Sequence, residues 1–338
     1  MHPITDSFNR PLHDLRISVI DRCNFRCTYC MPEEEGKSYT FLKKSQWLSF
    51  GEILRLTKLF VRLGVTKVRL TGGEPLLRPQ LPELIRDLNK IPGMEDLALT
   101  TNGALLSKQA QSLKDAGLRR LTVSLDALDE KTFQQMSGRR GNLFEVLKGI
   151  TTAEDAGFES IKFNVVLQRG INDHAILDLV KYFKGSGHIL RFIEYMDVGN
   201  CNHWESKEVV PSREILKIIN EKYPIKPLGA NYFGEVAERY AFADGTGEVG
   251  FISSVSQPFC GTCTRARLST DGKIYTCLFA TKGTDLRTPL RSGATDEELI
   301  TVIKNVWQKR ADKYSENRAL FRSLKENPQK VEMYQIGG

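Results

Sequence analysis

The stretch LRISVIDRCNFRCTYC, residues 15–30, joins an apolar run to three closely spaced cysteines. In LRISVI, apolar and polar residues alternate and β-branched residues are frequent, which is typical of a strand. Cys23, Cys27 and Cys30 follow at C-x3-C-x2-C spacing. The stretch therefore predicts a strand whose carboxyl end leads into a loop of thiols, and this is the end at which barrel enzymes place their chemistry.

The same unit recurs as far as residue 196, with a predicted helix between successive strands. The first helix opens with SFGE, a capping box at Ser49 and Glu52. The joints LGVTKVRL, AGLRRLTV and AGFESIKF carry Gly where a helix C-cap prefers it. The predicted strands are LRISVI, KVRLTGG, DLALTTN, RRLTVSLD, SIKFNVVLQ and ILRFIEYM. Alternating strands and helices imply parallel βαβ units, and six units do not close an eight-stranded barrel. We therefore predict an α/β protein with a partial (βα)6 barrel of the TIM type.

The pattern becomes less regular after Asp197. VAERYAF and GEVGFISS predict a hairpin that turns at Ala243–Gly245, and RARLST and KIYTCLFA predict another at Asp271-Gly272. TDEELITVIKNVWQKR predicts a capped amphipathic helix. We therefore predict a barrel with the first cysteines in residues 1–230, and an α+β extension with the remaining cysteine cluster in residues 231–338.

Composition is that of an ordinary soluble globular protein, with 41% hydrophobic and 26% charged residues. A net charge of +7 over 338 residues is modest and favours neither a nucleic acid nor a membrane surface as a partner. The amino terminus lacks the apolar core of a signal peptide, and no segment approaches the roughly 20 apolar residues of a membrane helix. We expect a cytoplasmic protein.

The seven cysteines form two triplets and one outlier, Cys201. Clustered cysteines in a reducing compartment indicate metal rather than disulfides. The second triplet is Cys260, Cys263 and Cys277, and the predicted hairpin turn brings Cys277 back beside the other two. Closed zinc sites take four ligands, and neither triplet has an obvious fourth, although a combined six-thiolate site would be an alternative. Three thiolates per site suit a [4Fe–4S] cluster with one open iron, so we favour iron. Cys201 is expected to have no ligand role.

Cations are predicted to line the barrel interior. Alternate residues of a strand face opposite sides, so Arg16, Lys67, Arg69 and Lys162 turn inward if their apolar neighbours face the helices. Unneutralised, their burial would cost several kcal/mol per ion. Three interpretations are open. Carboxylates such as Glu74, Asp126 and Glu194 neutralise these cations, the predicted strand parity is wrong by one residue, or the cavity binds an anion. We favour an anion that carries phosphate groups. Alternation alone does not place both Arg191 and Met196.

The first cysteine loop and the motif Thr71-Gly72-Gly73-Glu74-Pro75 resemble the radical S-adenosylmethionine superfamily. In that superfamily the open iron chelates the methionine amino and carboxylate groups, and an electron from the cluster releases a 5′-deoxyadenosyl radical. The glycine-rich motif meets the methionine amine. The resemblance assigns four residues to this cofactor: Tyr29, Gly73, Ser124 and Met196.

The second triplet, GTCTRAR around Cys263 and the terminal Gly337-Gly338 narrow the resemblance to the GTP 3′,8-cyclases of molybdenum cofactor biosynthesis. That branch implies two [4Fe–4S] clusters, a GTP substrate between them and a carboxyl-terminal tail that enters the active site. The residues implied to bind GTP are Arg16, Arg69, Thr100, Lys162, Arg265, Ala266 and Arg267. Of these, Arg16, Arg265 and Arg267 are expected to be catalytic.

The resemblance also implies partners: a flavodoxin- or ferredoxin-type reductant, cyclic pyranopterin monophosphate synthase downstream, and a second copy of the chain in a homodimer. Two other functions remain open at this point. One is a radical S-adenosylmethionine enzyme that acts on a peptide, although a peptide would not explain a ring of inward cations. The other is an electron carrier or metal sensor, which would form no 5′-deoxyadenosine under reducing conditions.

Overall fold

The computed structural model describes residues 3–33, 38–323 and 330–338 of the chain. The strands in these ranges are β1 (Asp14–Ser18), β2 (Lys67–Thr71), β3 (Asp96–Thr101), β4 (Arg120–Ser124), β5 (Lys162–Leu167), β6 (Ile189–Glu194), β7 (Ile225–Leu228), β8 (Glu238–Phe242), β9 (Glu248–Ile252), β10 (Arg265–Leu268), β11 (Lys273–Tyr275) and β12 (Thr284–Asp285). The α-helices are α1 (Phe50–Arg62), α2 (Leu81–Leu88), α3 (Leu106–Asp115), α4 (Glu130–Met136), α5 (Leu143–Asp155), α6 (Ile176–Phe183), α7 (Ser212–Lys222), α8 (Arg287–Arg291), α9 (Asp296–Gln308), α10 (Tyr314–Ser323) and α11 (Met333–Ile336).

These strands form one sheet in the order β12-β11-β10-β1-β2-β3-β4-β5-β6-β9-β8-β7. The strands from β10 to β9 in this order run parallel, and antiparallel strands continue the sheet at both margins. Among the described residues β9 and β10 do not pair, so the barrel stays open between them. This architecture confirms the predicted partial barrel with a carboxyl-terminal extension.

One face of each barrel strand packs against the helices. Leu15, Ile17, Val68 and Leu70 are fully or almost fully buried in the main hydrophobic core, as the predicted parity requires. The helix that covers this face, α1, begins at the predicted capping box. The Glu52 backbone N–H donates to Ser49 Oγ at 3.2 Å, and the Glu52 carboxylate accepts from the Ser49 N–H at 2.7 Å.

Both predicted hairpins are present, as β8 with β9 and β10 with β11. Their long-range pairing adds something that the local pattern does not contain. β9 lies parallel to β6, and β10 lies parallel to β1, so the extension contributes a strand to each side of the barrel. The division at residue 230 remains a prediction. No helix of the described ranges has the length and apolar character that crossing a membrane demands.

Candidate active site

The first cysteine loop follows β1 and lies at the carboxyl ends of the strands. All three thiols are half-buried and line one cavity. The Cys30 N–H donates to the Cys27 carbonyl at 3.0 Å, and the Phe25 N–H points at Cys23 Sγ at 3.4 Å. Burial raises the pKa of Cys23 to about 11 and raises that of Cys27 well above its ordinary value. A thiol must lose its proton to ligate a metal. A bound cation would stabilise the thiolate form of these cysteines against the effect of burial.

The glycine-rich motif after β2 presses directly against the cysteine loop. A Cβ on Gly72 would overlap the Ile20 carbonyl, and a Cβ on Gly73 would overlap the Arg22 carbonyl. The Gly73 N–H donates to the Ile20 carbonyl at 2.7 Å. The glycines are therefore required for close approach of two backbones, and the motif is more than a plain turn.

Glu74 is buried behind this motif. Its carboxylate accepts hydrogen bonds from Thr101 Oγ1 at 2.7 Å and from the Asn102 and Leu76 N–H groups at 2.8 and 3.0 Å. Burial nevertheless raises its pKa to about 7. These hydrogen bonds occupy the Glu74 carboxylate, so Glu74 does not neutralise a cation of the barrel interior as predicted.

The four residues predicted to bind S-adenosylmethionine lie around the same cavity: Tyr29, Gly73, Ser124 and Met196. The Tyr29 hydroxyl donates to Asp126 Oδ2 at 2.9 Å, and the other oxygen of Asp126 accepts the Val166 N–H at 2.8 Å. Strand β6 ends at residue 194, and this lets both Met196 and Arg191 line the cavity, which alternation alone could not place.

The second triplet surrounds the start of β10 and the end of β11. Cys260, Cys263 and Cys277 are half-buried and line the cavity that the first triplet lines. The Phe279 N–H points at Cys277 Sγ at 3.5 Å, and Arg265 Nη2 lies 3.6 Å from Cys263 Sγ. Burial works against ionisation of Cys263, but the nearby guanidinium groups lower its pKa to about 6.

Two buried arginines that the sequence analysis did not identify hold the backbone of this second loop. Arg10 Nη1 donates to the Cys260 carbonyl, and Arg310 Nη1 donates to the Cys263 carbonyl, both at 2.7 Å. Asp6 lies between them, 2.6 Å from Arg10 and 3.4 Å from Arg310. Arg310 also lines the cavity. No sequence motif marks these residues, because they come from opposite ends of the chain.

Between the two thiol loops the cavity wall is cationic. Parallel pairing sets Arg267, Arg16 and Arg69 side by side on β10, β1 and β2. Burial and the neighbouring guanidinium groups lower the pKa of Arg16 well below its ordinary value. They also lower the pKa of Lys162 to about 8. The predicted inward parity of these side chains is confirmed.

Among the described residues, four cations of this wall have no carboxylate at ion-pair distance, whereas Arg120 pairs with Asp96. Within the part of the chain that the structure describes, no Asp or Glu lies within ion-pair distance of Arg16, Arg69, Lys162 or Arg267. Glu194, a predicted counter-charge, instead accepts from the backbone of residues 212, 255 and 256. A cavity lined by buried cations without ion-pair partners fits an anionic ligand.

The cavity has a volume of about 320 Å³. Further side chains that line it are Lys67, Arg120, Arg191 and Tyr232. Thr100 lines it too, and its hydroxyl accepts from Arg69 Nη1 at 3.0 Å. Ala266 differs from the other predicted residues, because its methyl group is buried in the core on the opposite face of β10. Its side chain therefore does not line the cavity.

The carboxyl terminus also reaches this cavity. The Gly337 carbonyl accepts a hydrogen bond from Arg267 Nη1, and Gly338 lines the cavity. Gly337 has a φ of +72°, and a Cβ there would overlap the Thr71 methyl group. Glycine is therefore the residue that fits this approach.

The donor sets suit iron–sulfur clusters. Each site offers three soft thiolates around a shared space, with N–H groups directed at sulfur. In residues 3–33, 38–323 and 330–338, no three Cys, His, Asp or Glu side chains converge as a single metal ion requires. The three thiols of each triplet would instead hold a [4Fe–4S] cluster, which would supply one-electron chemistry.

Comparisons with known proteins agree with this geometry. The Radical SAM superfamily model matches residues 17–183, and the Molybdenum Cofactor Synthesis C model matches residues 188–316. A crystal structure of Streptococcus suis SuiB bound to S-adenosylmethionine matches with a TM-score of 0.58 at 15% identity, over 88% of this chain and 69% of that chain. The fold is that of a radical S-adenosylmethionine protein, a class that implies a [4Fe–4S] cluster and S-adenosylmethionine.

Relatives of known activity extend over the whole chain. GTP 3′,8-cyclase of Xanthomonas campestris pv. campestris (strain B100) is 55% identical over 99% of this chain and 98% of its own. GTP 3′,8-cyclases of Acidothermus cellulolyticus and Staphylococcus epidermidis (strain RP62A) are 50% and 48% identical, each over 99% of both chains. The chain belongs to the GTP 3′,8-cyclase family.

Proposed function

We propose that this chain converts GTP to (8S)-3′,8-cyclo-7,8-dihydroguanosine 5′-triphosphate, an early step of molybdenum cofactor biosynthesis. One observation carries the proposal: a single cavity is lined by two cysteine triplets and by cations that lack counter-charges. A triphosphate supplies the missing negative charge, and a purine supplies nitrogen and oxygen donors for an open metal position. A peptide substrate would leave the cations unneutralised.

Cys23, Cys27 and Cys30 hold the first cluster in this proposal. When bound, this cluster and S-adenosylmethionine supply the one-electron chemistry that removes the ribose 3′ hydrogen of GTP. Tyr29, Gly73, Ser124 and Met196 bind S-adenosylmethionine. The close contact between the glycine-rich motif and the cysteine loop fixes the distance between cofactor and cluster, and such positioning is a large part of what an enzyme adds to cofactor chemistry.

Cys260, Cys263 and Cys277 would hold a second [4Fe–4S] cluster, which would supply an open metal position for the guanine. Support comes from the matched donor set and from Arg10 and Arg310, which fix the loop from behind.

The triphosphate lies against the cationic wall. Arg16, Arg69 and Lys162 meet its oxygens from the barrel strands, while Arg265 and Arg267 meet them from β10. Thr100 adds a hydroxyl, and Ala266 contributes only backbone. Guanidinium groups offer paired donors that match phosphate oxygens, and buried charges act strongly because water does not screen them. Arg16, Arg265 and Arg267 are the catalytic residues of the proposal, because they join the nucleotide to the second thiol loop and to the terminal glycines.

Formation of the bond between C3′ and C8 leaves a product that needs one further electron and one proton. The electron comes from a flavodoxin- or ferredoxin-type reductant, and the product passes to cyclic pyranopterin monophosphate synthase. The organisation that goes with this proposal is a cytoplasmic homodimer with a barrel in residues 1–230 and an extension in residues 231–338, without nucleic-acid or membrane partners.

The test is anaerobic reconstitution, followed by iron and sulfide counting and incubation with S-adenosylmethionine, dithionite and each nucleoside triphosphate in turn. We expect two clusters per chain. Of the nucleoside triphosphates, GTP should be the one that gives a cyclised product. Cys263→Ala should lose the iron of one cluster, whereas the matched control Cys201→Ala should keep both. Iron equivalent to one cluster per chain, or deoxyadenosine formation that is indifferent to GTP, would refute the proposal.

A further inference from the structure

The loop of residues 197–201, called here the latch loop, follows Met196 and grips the carboxyl-terminal tail, residues 330–338. The Asp197 carboxylate accepts from Lys330 Nζ at 3.1 Å, from Arg318 Nε at 2.9 Å and from the Tyr314 hydroxyl at 2.8 Å. The Asp197 carbonyl also accepts from Lys330 Nζ at 2.7 Å. Lys330 and Arg318 are buried, so the Asp197 carboxylate neutralises two cations that are shielded from solvent.

The side chain of Asn200 forms hydrogen bonds with the backbone of the tail. Its amide nitrogen donates to the Lys330 carbonyl at 2.6 Å, and its amide oxygen accepts the Lys330 N–H at 3.0 Å. The same amide nitrogen and the Asn200 backbone N–H both donate to Glu332 Oε1, at 3.0 and 3.1 Å. One exposed side chain thus pairs with both backbone groups of one tail residue, an arrangement that specifies the register of the tail.

Gly199 makes this grip sterically feasible. It has a φ of +72°, and a Cβ at this position would overlap the Glu332 carboxylate. The next residue, Cys201, places its thiol 3.0 Å from Glu332 Oε2 and 3.7 Å from the Cys30 carbonyl. The latch loop therefore touches both the tail and the first cysteine loop.

We infer that the latch loop is a positioning element that sets the register of the tail and thereby brings Gly337 and Gly338 to Arg267 in the cavity. A shift of one residue at Lys330 would carry Gly337 away from Thr71, where only glycine fits. Gly199 and Asn200 touch neither cysteine triplet nor the cationic wall, so they act on the reaction through the tail. The catalytic consequence of this inference rests on the proposed function, but the seating of the tail does not.

Hydrogen–deuterium exchange of the carboxyl-terminal peptide, measured without turnover, tests the inference. The reporters include the Val331 N–H, which donates to the Ala280 carbonyl at 3.0 Å. Gly199→Ala and Asn200→Ala should each speed exchange of this peptide about tenfold or more. Asn200→Ala removes the side-chain hydrogen bonds to Lys330 and Glu332, and the Cβ that Gly199→Ala introduces would displace the Glu332 carboxylate from Asn200. The matched control is Gly245→Ala: Gly245 also has a positive φ, +77°, but nothing lies near the position of its Cβ. It carries the same backbone strain and should leave the tail unchanged.

Turnover gives the second readout. The two latch variants should lower kcat for cyclisation while both clusters keep their wild-type iron content. Exchange equal to that of Gly245→Ala in both latch variants overturns the inference, whatever the substrate is. Faster exchange with unchanged cyclisation overturns the positioning role. Asn200 is exposed, so its variant folds even if Gly199→Ala does not. If GTP proves not to be the substrate, the exchange result still decides how the tail is seated.

Discussion

Affinity for GTP should fall as the pH rises from 7 to 9, because of Lys162. Burial, followed by Arg191, Arg120 and Arg69, lowers the pKa of this lysine to about 8, and Glu235 offsets only part of that shift. Arginine stays protonated throughout this range. Lys162 is therefore a wall cation that titrates in this range, passing from about nine-tenths to about one-tenth protonated between pH 7 and 9.

A bound triphosphate restores the proton to Lys162, so binding takes up a proton above pH 8. The dissociation constant should rise about tenfold between pH 7 and 9, equivalent to about 1.4 kcal/mol. The contribution of Lys162 to folding stability depends on pH in the opposite direction. The folded pKa lies below the ordinary 10.5, so between pH 8 and 10.5 the unfolded chain binds more protons, and the contribution of Lys162 to stability rises with pH.

Equilibrium dialysis of labelled GTP against the anaerobic protein at pH 7, 8 and 9 measures this effect. Lys162→Gln should bind GTP more weakly at pH 7 but with an affinity that no longer depends on pH. Lys162→Arg should keep its affinity and also lose the pH dependence, because the guanidinium does not titrate. The role assigned to Lys162 is refuted if the GTP affinity of the wild-type protein does not change from pH 7 to 9, or if the affinity of Lys162→Gln still falls as the pH rises. Either result would show that Lys162 does not bind the triphosphate as a titrating cation.

Three further outcomes are expected. Arg265→Ala and Arg267→Ala should each retain the iron of both clusters yet abolish cyclisation, so variants that still make product would remove these arginines from catalysis. Gly337→Ala should lower kcat about a hundredfold, since a misplaced active-site element costs about that much; wild-type kcat would contradict the placement of the tail. Ser49→Ala should lower the free energy of unfolding by about 1 kcal/mol through loss of the α1 cap, measured by denaturant titration, with GTP affinity unchanged.

Local sequence patterns predicted most of the barrel, because strand alternation and helix caps are encoded within a few residues. The parity of Arg16 and Arg69 followed from the apolar residues on either side of each, since a one-residue slip would put leucine and isoleucine into the cavity. Where the strand ended early, as β6 does at residue 194, alternation gave no answer for Met196. Arg10 and Arg310 escaped detection for a related reason: a buried arginine that binds a backbone carbonyl has no periodicity to reveal it.

The pairing of β10 with β1 is the feature that the sequence could not supply and on which the site depends. The hairpin of β10 and β11 is a local structure, whereas its attachment to β1 joins residues about 250 positions apart and is decided by the packing of Ala266 and Leu268 into the main core. That attachment aligns Arg267 with Arg16 and carries the second cysteine triplet to the cavity of the first. Without it each triplet would be an isolated thiol loop. With it, burial of two apolar side chains on one face of β10 places a pair of guanidinium groups on the other, between the two cysteine triplets.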